Sequence, residues 1–215
     1  MSKVVSINIG KLQTIPWAKK KTKTGIFKKP ISTPVYVSKE GVAGDEIGST
    51  KYHGGPDQAV YLYSVRDYRW WRQRLGRRLP PGTFGENLTV TSLGTSAPRV
   101  GDLWRFSEVV LQLTAPRVPC VTLAQRMNDP KFVKTFAQAN RSGAYARVIQ
   151  PGELTLGEEA TCESSGEQSP LLSDLFALCH GRKDDRQLME RALKSPLARL
   201  LREDIELWLK RLSQK

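Results

Sequence analysis

Residues 109–120 of the chain read VVLQLTAPRVPC and contain both a fold signal and a chemical signal. The first five residues are mostly β-branched or apolar, which predicts a short β strand. Cys120 then follows Pro116 and Pro119, with Arg117 three residues before the cysteine. Because proline fixes φ and lacks an N–H donor, we expect Cys120 to lie on a stiff, irregular segment, outside any helix or central strand.

The neighbouring guanidinium bears on the reactivity of Cys120. A positive charge beside a thiol favours the thiolate, which attacks electrophiles and binds metals. A free cysteine is also among the residues most often buried, so its position alone leaves a structural role for Cys120 open. The rest of the sequence offers no other convincing nucleophile or set of metal ligands.

Short β segments separated by glycine and proline recur through the first 160 residues. Besides residues 109–113, we predict strands at residues 3–9, 33–38, 58–63, 87–90, 103–106 and 144–148. Many short strands with turn signals between them indicate a β barrel or a β sandwich.

Two helices are predicted to interrupt these strands. In the first, Ser64 and Asp67 form a capping-box pattern and Gly76 is placed to end the helix. Helical spacing puts Trp71 on the apolar face, so we expect Trp71 in the core. The second helix is predicted at residues 129–139, where an aspartate N-cap precedes a proline at the first helical position.

The sequence changes character after residue 160. Residues 161–169 are polar, as in a linker, and apolar residues then follow helical spacing in three blocks. Serine-proline pairs at 169–170 and 195–196 open the first and third helices, and Asp184 or Asp185 caps the second. Cys179 falls on the apolar face of the first of these helices, where packing is its expected role.

At 215 residues the chain is long enough for one large domain with a small addition. We predict a mainly β fold with α helices: a β-barrel domain at residues 1–160, a linker at 161–169 and a three-helix domain at 170–215. Three cysteines without a CxxC pair indicate neither a disulfide framework nor a zinc ribbon, and favour a reducing cytoplasm. We expect neither a signal peptide nor a membrane anchor.

Positive charge is unevenly distributed along the chain. The formal net charge is +13, with lysines at positions 19–21 and 23 and six arginines between residues 66 and 78. Such clusters suit nucleic acid, a phosphate-bearing cofactor or an acidic protein partner, and charge alone does not distinguish these. Residues 170–215 hold ten basic and seven acidic side chains, a net of only +3, which argues against a nucleic-acid-binding tail.

A second cluster of small and polar residues lies at residues 44–61. Gly44-Asp45 is followed by HGGPDQAVY at residues 53–61. Paired glycines let a backbone approach a ligand or adopt positive φ, and His53 offers a proton carrier or a polar contact. Farther along come FGENLT at residues 84–89, Gly101-Asp102 and the proline-framed Cys120.

These motifs, together with TGIFKKP at residues 24–30 and GAY at residues 143–145, resemble in kind and order those of the MOSC family. That family is named for the C-terminal domain of molybdenum cofactor sulfurases, and the likeness is greatest to its YiiM-type members. The resemblance covers residues 1–160, and the polar stretch and helical tail match as well, because YiiM-type proteins carry a three-helix domain after the barrel.

The resemblance implies a β barrel whose cleft binds the molybdenum cofactor (molybdopterin with Mo), and not pyridoxal phosphate. This cofactor is a pterin dithiolene with a terminal phosphate. Cys120 would be the catalytic thiolate ligand of molybdenum, a soft donor that suits this metal. Arg117 would support the thiolate or contact cofactor oxygens.

The same resemblance implies cofactor-binding or catalytic roles for further residues. The lysine-rich approach to Thr24-Gly25 would neutralise the cofactor phosphate, with Lys23, Thr24 and Lys28 as its contacts, although lysines near a terminus are often only solvated. His53, a second catalytic candidate, and Asn87 would donate to polar atoms of the pterin or the substrate. For Asn87 a turn-forming role after Gly85 remains equally open.

The implied reaction is the two-electron reduction of N-hydroxylated compounds, namely base analogues, hydroxylamines or amidoximes, to amines or amidines. No flavin or nicotinamide fingerprint is visible, so we expect a separate redox donor, a flavoprotein or a ferredoxin-like protein. Because such donors are often acidic, the arginine-rich helix with Arg69, Arg72 and Arg77, or the basic tail helices, would be the docking face. We expect a monomer or homodimer without membrane contact.

Two other classes of function remain as alternatives. A sulfur carrier or cofactor-handling protein would use Cys120 as a persulfide, since sulfurase-type members of the family act in sulfur transfer. A nucleic-acid-binding module would use the positive charge and the helical tail. We rank the reductase first, sulfur or cofactor handling second and nucleic-acid binding last.

Overall fold

The computed structural model describes residues 1–15, 23–32, 34–49, 53–94, 97–181 and 183–214. Lys19, Lys20 and Lys21 of the lysine cluster lie outside these described residues, as does the first residue of the strand predicted at 33–38. The strands of the described part are β1 (Ser2–Ile9), β2 (Gln13–Thr14), β3 (Lys23–Thr24), β4 (Lys29–Ile31), β5 (Val35–Ser38), β6 (Gly41–Val42), β7 (Val60–Ser64), β8 (Leu88–Val90), β9 (Leu103–Arg105), β10 (Val110–Pro116), β11 (Ala144–Gln150), β12 (Gly152–Leu154) and β13 (Glu159–Glu163). The helices are α1 (Val65–Leu75), α2 (Val121–Met127), α3 (Phe132–Ala139), α4 (Leu172–Cys179), α5 (Arg186–Leu193) and α6 (Arg199–Leu212), with a 3₁₀ turn at Pro56–Gln58.

Seven strands close into a barrel in the order β1-β8-β7-β11-β10-β9-β13, and β13 returns to β1 through the pairs Ser2 with Ala160 and Lys3 with Glu159. Neighbouring barrel strands are antiparallel except β7 and β8, which run parallel. Closure pairs the backbone groups that a sheet edge would leave open. Of the two architectures that the sequence indicates, the barrel is therefore confirmed.

Strand β1 has three partners, and its register with β8 shifts between Val4 and Ser6. Its first residues pair with β13, its middle with β8, and residues Ile7, Asn8 and Ile9 with β4. Outside the barrel, β12, β5 and β6 form a three-stranded sheet, and β2 pairs with β3. The β2–β3 pair carries Lys23 and Thr24.

The longer predicted strands coincide with observed strands to within a few residues, but several short strands were not predicted. Strands β2, β3, β4, β6 and β12 have two or three residues each, too few to show a period of two. Strand β13 was also missed, and its residues Thr161, Cys162 and Glu163 pair with β9. The polar stretch that we interpreted as a linker thus begins inside the barrel.

The first predicted helix is confirmed as α1. Ser64 is the N-cap, and its hydroxyl oxygen accepts from the Asp67 N–H at 3.0 Å. Gly76 ends the helix in the left-handed region, at φ 61°. Trp71 is fully buried, as predicted. Both helix ends are specified by residues within one turn of them, which explains why the sequence was sufficient.

Other helix boundaries differ from the prediction. Helix α3 begins at Phe132 and not at residue 129, because the Asp129 side chain accepts from the Lys131 N–H at 2.8 Å within the preceding turn. Helices α4 and α6 begin after the serine-proline pairs, where the Leu172 N–H donates to the Pro98 carbonyl in the loop before β9 and the Ala198 N–H donates to the Thr114 carbonyl of β10. Helix α5 begins at Arg186 with Asp185 as its N-cap, as predicted.

Two clusters of buried side chains hold the fold together. The first fills the barrel and continues into the helical tail, where Leu175, Ile205 and Trp208 belong to it. The second is aromatic and joins α1 to α3, with Trp71 stacked on Phe136 at a centroid distance of 5.7 Å. Burial of such rings stabilises the positions of the helices around the barrel. No described helix is long and apolar enough to cross a membrane.

Candidate functional site

A cavity of about 480 Å³ opens beside the barrel strands, within the size range of small-molecule sites. All the residues assigned to a site from the sequence line this cavity. They are Lys23, Thr24, Lys28, His53, Asn87, Arg117 and Cys120. The fold therefore brings together side chains that are up to 97 positions apart in the sequence.

Cys120 lies between a barrel strand and a helix that the sequence analysis did not predict. Pro116 is the last residue of β10, and Cys120 has extended backbone angles, φ −126° and ψ 171°, as the N-cap of α2. The thiol is therefore held outside the helix and the central strand, as the two prolines led us to expect. Helix α2 has neither a proline nor an acidic residue in its first turn, so little in its sequence marks its start.

The surroundings of Cys120 favour its thiolate. Burial acts to raise the pKa of the thiol, but a hydrogen bond from His53, the positive charge of Arg117 and the Leu123 N–H lower it to about 6. The ordinary value for the thiol is 9.0. A thiolate at neutral pH is a nucleophile and a soft metal ligand.

The other two cysteines behave differently. Burial raises the pKa of Cys162, and burial with the nearby Asp204 charge raises that of Cys179 to about 12. Cys179 packs against the first core cluster, in line with the packing role expected from its helical position. Cys120 is thus the thiol set apart by its surroundings.

Arg117 is a buried cation whose charge interacts with the Cys120 thiolate. Only 4 % of the residue is exposed, and its guanidinium lies 5.8 Å from the Tyr61 ring centroid and 5.7 Å from that of Phe136. Burial acts to lower the pKa of Arg117, but Tyr61, Tyr145 and Cys120 raise it, so the group stays charged. Within the described residues no carboxylate pairs with Arg117, and its buried Nη1 has no hydrogen-bond partner.

Two tyrosines that the sequence analysis did not single out complete this wall of the cavity. Tyr61 on β7 and Tyr145 on β11 are paired in register, with ring centroids 5.1 Å apart. Tyr61 donates to the Ser142 carbonyl at 2.8 Å, and Tyr145 hydrogen-bonds to Arg117. Burial raises the pKa of both tyrosines, so both keep their protons at neutral pH. Their proximity follows from strand register, which no local pattern revealed.

Another part of the cavity wall is held by a buried ion pair. Lys28 Nζ donates to Asp45 Oδ2, and both side chains are less than 10 % exposed. Burial lowers the pKa of Lys28, although the charge of Asp45 opposes this. Asp45 also accepts from the Gly10 N–H at 2.8 Å and from Asn87 Nδ2 at 2.9 Å. Asp45, noted in the sequence only as part of Gly44-Asp45, is therefore central to this wall.

Asn87 has its polar atoms engaged within the protein. Its Oδ1 accepts a hydrogen bond from the Tyr61 N–H at 3.1 Å, and its Nδ2 donates one to Asp45 Oδ2. These bonds join β7, β8 and the loop after β6, so Asn87 shapes the cavity as well as lining it. Lys23 is exposed at the rim, and Thr24 Oγ1 accepts from the Ile26 N–H at 3.2 Å.

The turn with His53 completes the cavity. Gly54 and Gly55 have positive φ, 74° and 77°, which glycine adopts without strain. A Cβ on Gly54 would lie 2.4 Å from Ile47 Cδ1, so a side chain there would push against the cavity wall. Gln58 also lines the cavity, and its buried Oε1 has no partner within the described residues.

A closed seven-strand barrel whose cavity holds a thiolate beside a buried guanidinium defines a β-barrel protein built around a single activated cysteine. The sequence profile of the MOSC domain matches residues 49–161, more than half of the chain. The chain therefore belongs to the MOSC domain family.

Known proteins with similar sequences include YflK of Bacillus subtilis, an uncharacterized protein, at 38 % identity over 77 % of this chain and 75 % of that one. YiiM of Escherichia coli is 29 % identical over 70 % of this chain and 67 % of its own length. A protein of Gibberella moniliformis named reductase is 32 % identical over 63 % of this chain but only 25 % of that longer protein.

Two solved structures show the same fold. YiiM from Geobacillus stearothermophilus superposes with a TM-score of 0.81 at 28 % identity, covering 97 % of this chain and all of that one. YiiM from Escherichia coli has a TM-score of 0.76 at 23 % identity and covers all of this chain and 94 % of that one. The likeness therefore extends through the barrel and the helical tail.

Proposed function

We propose that this chain is a molybdenum cofactor-dependent reductase of N-hydroxylated compounds, converting N-hydroxylated base analogues, hydroxylamines or amidoximes to amines or amidines. Membership of the MOSC domain family and similarity to a protein named reductase support this class. The observation that carries the proposal is that one cavity holds both the Cys120 thiolate and the buried Nη1 of Arg117, which has no hydrogen-bond partner among the described residues.

The residues of the cavity fit such a cofactor. Cys120 would supply a soft thiolate ligand to molybdenum, and Arg117 has a free donor for an anionic oxygen. Lys23 at the rim and Thr24 beside it would receive the terminal phosphate. Lys28 is already paired with Asp45, so it contributes mainly by holding the wall to which a phosphate would bind.

When bound, the cofactor would supply the two-electron chemistry that amino-acid side chains lack. Reduction of an N–OH group to N–H consumes two electrons and two protons and releases one water. His53, hydrogen-bonded to Cys120 at the cavity wall, would deliver protons from its imidazole. Gln58 Oε1 would accept a hydrogen bond from an N–H group of the substrate.

The electrons would come from a separate flavoprotein or ferredoxin-like donor. We place its docking face at the C-terminal end of α2, where Arg77 Nη2 donates to the Met127 carbonyl at 3.2 Å and Arg72 lies close by, in the same surface concavity. The rise of the seven residues of α2 places Met127, whose carbonyl Arg77 contacts, only about 10 Å from Cys120. An acidic donor would be attracted to these arginines.

A charge reversal tests the docking face. With Arg72→Glu and Arg77→Glu combined, the apparent KM for the donor protein should rise several-fold at low salt, while turnover with a small chemical reductant stays unchanged. Arg191→Glu on α5 represents the alternative face on the tail helices. A larger rise in KM for Arg191→Glu than for the double variant would contradict this placement.

Elemental analysis joined to an activity assay tests the function itself. Protein produced with an intact cofactor pathway should contain molybdenum and reduce an N-hydroxylated base, and Cys120→Ala should lose both properties. Equal molybdenum in the two proteins would contradict ligation by Cys120. A mass increase of one sulfur atom on Cys120, without bound molybdenum, would instead support the sulfur carrier.

A further inference from the structure

Asp57 lies in the HGGPDQ run but takes no part in the cavity wall. Its three oxygens are each bound by a different element of the fold. Oδ2 accepts from the Arg199 N–H at 2.8 Å, Oδ1 pairs with Arg147 Nη2 at 2.9 Å, and the carbonyl accepts from Thr114 Oγ1 at 2.6 Å. Asp57 therefore ties the turn at residues 53–58 to β10, β11 and the helical tail.

The partner of Asp57 in the tail is the start of α6. The N-cap of that helix, Ala198, has no side chain that can cap it, and the Asp57 carboxylate supplies the missing acceptor. A carboxylate is also favoured at the positive end of a helix. The same end is held by two more bonds, from the Ala198 N–H to the Thr114 carbonyl and from Arg147 Nη2 to the Leu197 carbonyl.

The turn needs such an external tie because its own backbone is permissive. Gly54 and Gly55 separate His53 from the 3₁₀ turn, and glycine loses more conformational freedom on folding than other residues. His53 hydrogen-bonds to Cys120, and Gln58 lines the cavity on the other side of Asp57. Asp57 therefore anchors the end of the turn next to Gln58, while the His53 N–H holds the other end by donating to the Ser49 carbonyl at 3.0 Å.

We propose that the start of α6 positions the site turn through Asp57, so that the helical tail sets the contact between His53 and Cys120. Asp57 is a positioning residue and touches neither the sulfur nor the cavity. Through this role the helical tail would influence the cavity of the barrel. Only the expected effect on turnover rests on the proposed reductase function.

Replacing Arg199 provides a clean test because proline is well accepted at the first position of a helix. Arg199→Pro removes the N–H that Asp57 accepts, and Ala198, at φ −59° and ψ 138°, already has backbone angles suited to a residue before proline. Arg199→Ala is the matched control, since both variants lose the exposed ion pair with Glu203 but only the proline removes the N–H.

The first readout is the alkylation rate of Cys120 in cofactor-free protein at pH 6, followed by mass spectrometry. If the contact with His53 is weakened, Cys120 loses the hydrogen bond that His53 donates, and the alkylation rate should fall several-fold in Arg199→Pro. Arg199→Ala should react like the wild type. An unchanged rate in folded Arg199→Pro would overturn the proposal.

A second pair of variants separates positioning from loss of a helix cap. Asp57→Ala should slow alkylation at least as much as Arg199→Pro, whereas Asp185→Ala, which removes the N-cap of α5, should leave it unchanged. Equal slowing in both variants would mean that any loosening of the tail affects Cys120, and would overturn the specific role of Asp57.

Hydrogen exchange of the wild-type protein gives a test that requires no variant. The amides of Gln58 and Arg199 should open in one cooperative step with the same protection, because the turn and the start of α6 are joined. Independent protection of the two amides would refute the coupling. If the wild type shows the coupling but contains no molybdenum and reduces no N-hydroxylated base, the positioning role stands and the proposed function fails.

Discussion

Replacing His53 by alanine should shift the ionisation of Cys120 more than any other single change at the cavity rim. His53 lowers the thiol pKa in two ways, through its hydrogen bond and through its charge, against the opposing effect of burial. The full shift is from 9.0 to about 6. We expect loss of both His53 contributions to raise the midpoint by about one and a half units, which corresponds to about 2 kcal/mol of lost thiolate stabilisation.

The direction of this change fixes the pH at which it is seen. Because the folded-state pKa of Cys120 is depressed, the thiolate is present above about pH 6 and is lost below it. In His53→Ala the thiolate fraction at pH 6 should fall about fifteenfold, and the difference should vanish above about pH 9. The alkylation rate of the Cys120 peptide across this range, measured by mass spectrometry in cofactor-free protein, reports the midpoint directly.

The second histidine of the chain gives the matched control. His180 packs against the Phe176 ring at 4.5 Å in the helical tail and does not line the cavity. His180→Ala should leave the Cys120 midpoint unchanged, and Cys162 and Cys179 should stay unreactive at pH 6 because their pKa values are raised. An unchanged midpoint in folded His53→Ala would refute the argument and leave Arg117 as the source of the activation.

Three further predictions concern stability. Arg117→Met should keep the unfolding free energy within about 1 kcal/mol of the wild type, since no carboxylate of the described residues pairs with the buried charge, but it should abolish molybdenum binding. A loss above about 3 kcal/mol in urea would show a structural role instead. Asp45→Ala should lower the unfolding free energy by about 3–5 kcal/mol because it leaves Lys28 buried and unpaired. Lys11→Ala, which breaks an exposed ion pair, should lower it by less than about 1 kcal/mol. Similar losses for the two variants in urea denaturation would contradict this. Burial raises the pKa of Glu86, so the folded state keeps a proton that the unfolded state releases. The unfolding free energy should therefore fall as pH rises above 4.5, and Glu86→Gln should reduce this fall. If denaturation at pH 5 and pH 7 gave the same change in unfolding free energy for both proteins, this explanation would be refuted.

Much of the fold was predictable because its signals are local. Ser64, Asp67 and Gly76 specify α1 within a single helix, and the residues on β7, β10 and β11 show the short apolar runs of buried strands. The helix after Cys120 was missed because its first turn has no acidic residue and no proline. Strand β13 was missed because residues 161–163 are polar on their exposed side.

The candidate site was predictable as a set of residues but not as an arrangement. The motif order pointed to His53, Asn87, Arg117 and Cys120, and all of them line the cavity. Asn87 forms its hydrogen bonds with Asp45 and the Tyr61 backbone, and Lys28 forms an ion pair with Asp45. These contacts depend on partners in other elements of the fold. The type of side chain decides whether a residue can bind a ligand, and its neighbours in the fold decide which of its polar atoms remain free to do so.

The sequence by itself determined the stiff segment at Cys120, because proline restricts the backbone wherever it occurs. Only the tertiary structure decided that this sulfur would be a thiolate. His53 reaches it from a turn 67 positions earlier in the sequence, and Asp57 is held by a helix that starts 142 residues later. Arg117 is buried beside the sulfur, and no carboxylate of the described residues pairs with that charge. Electrostatic and hydrogen-bond energies depend on distance in space, and closure of the barrel sets those distances.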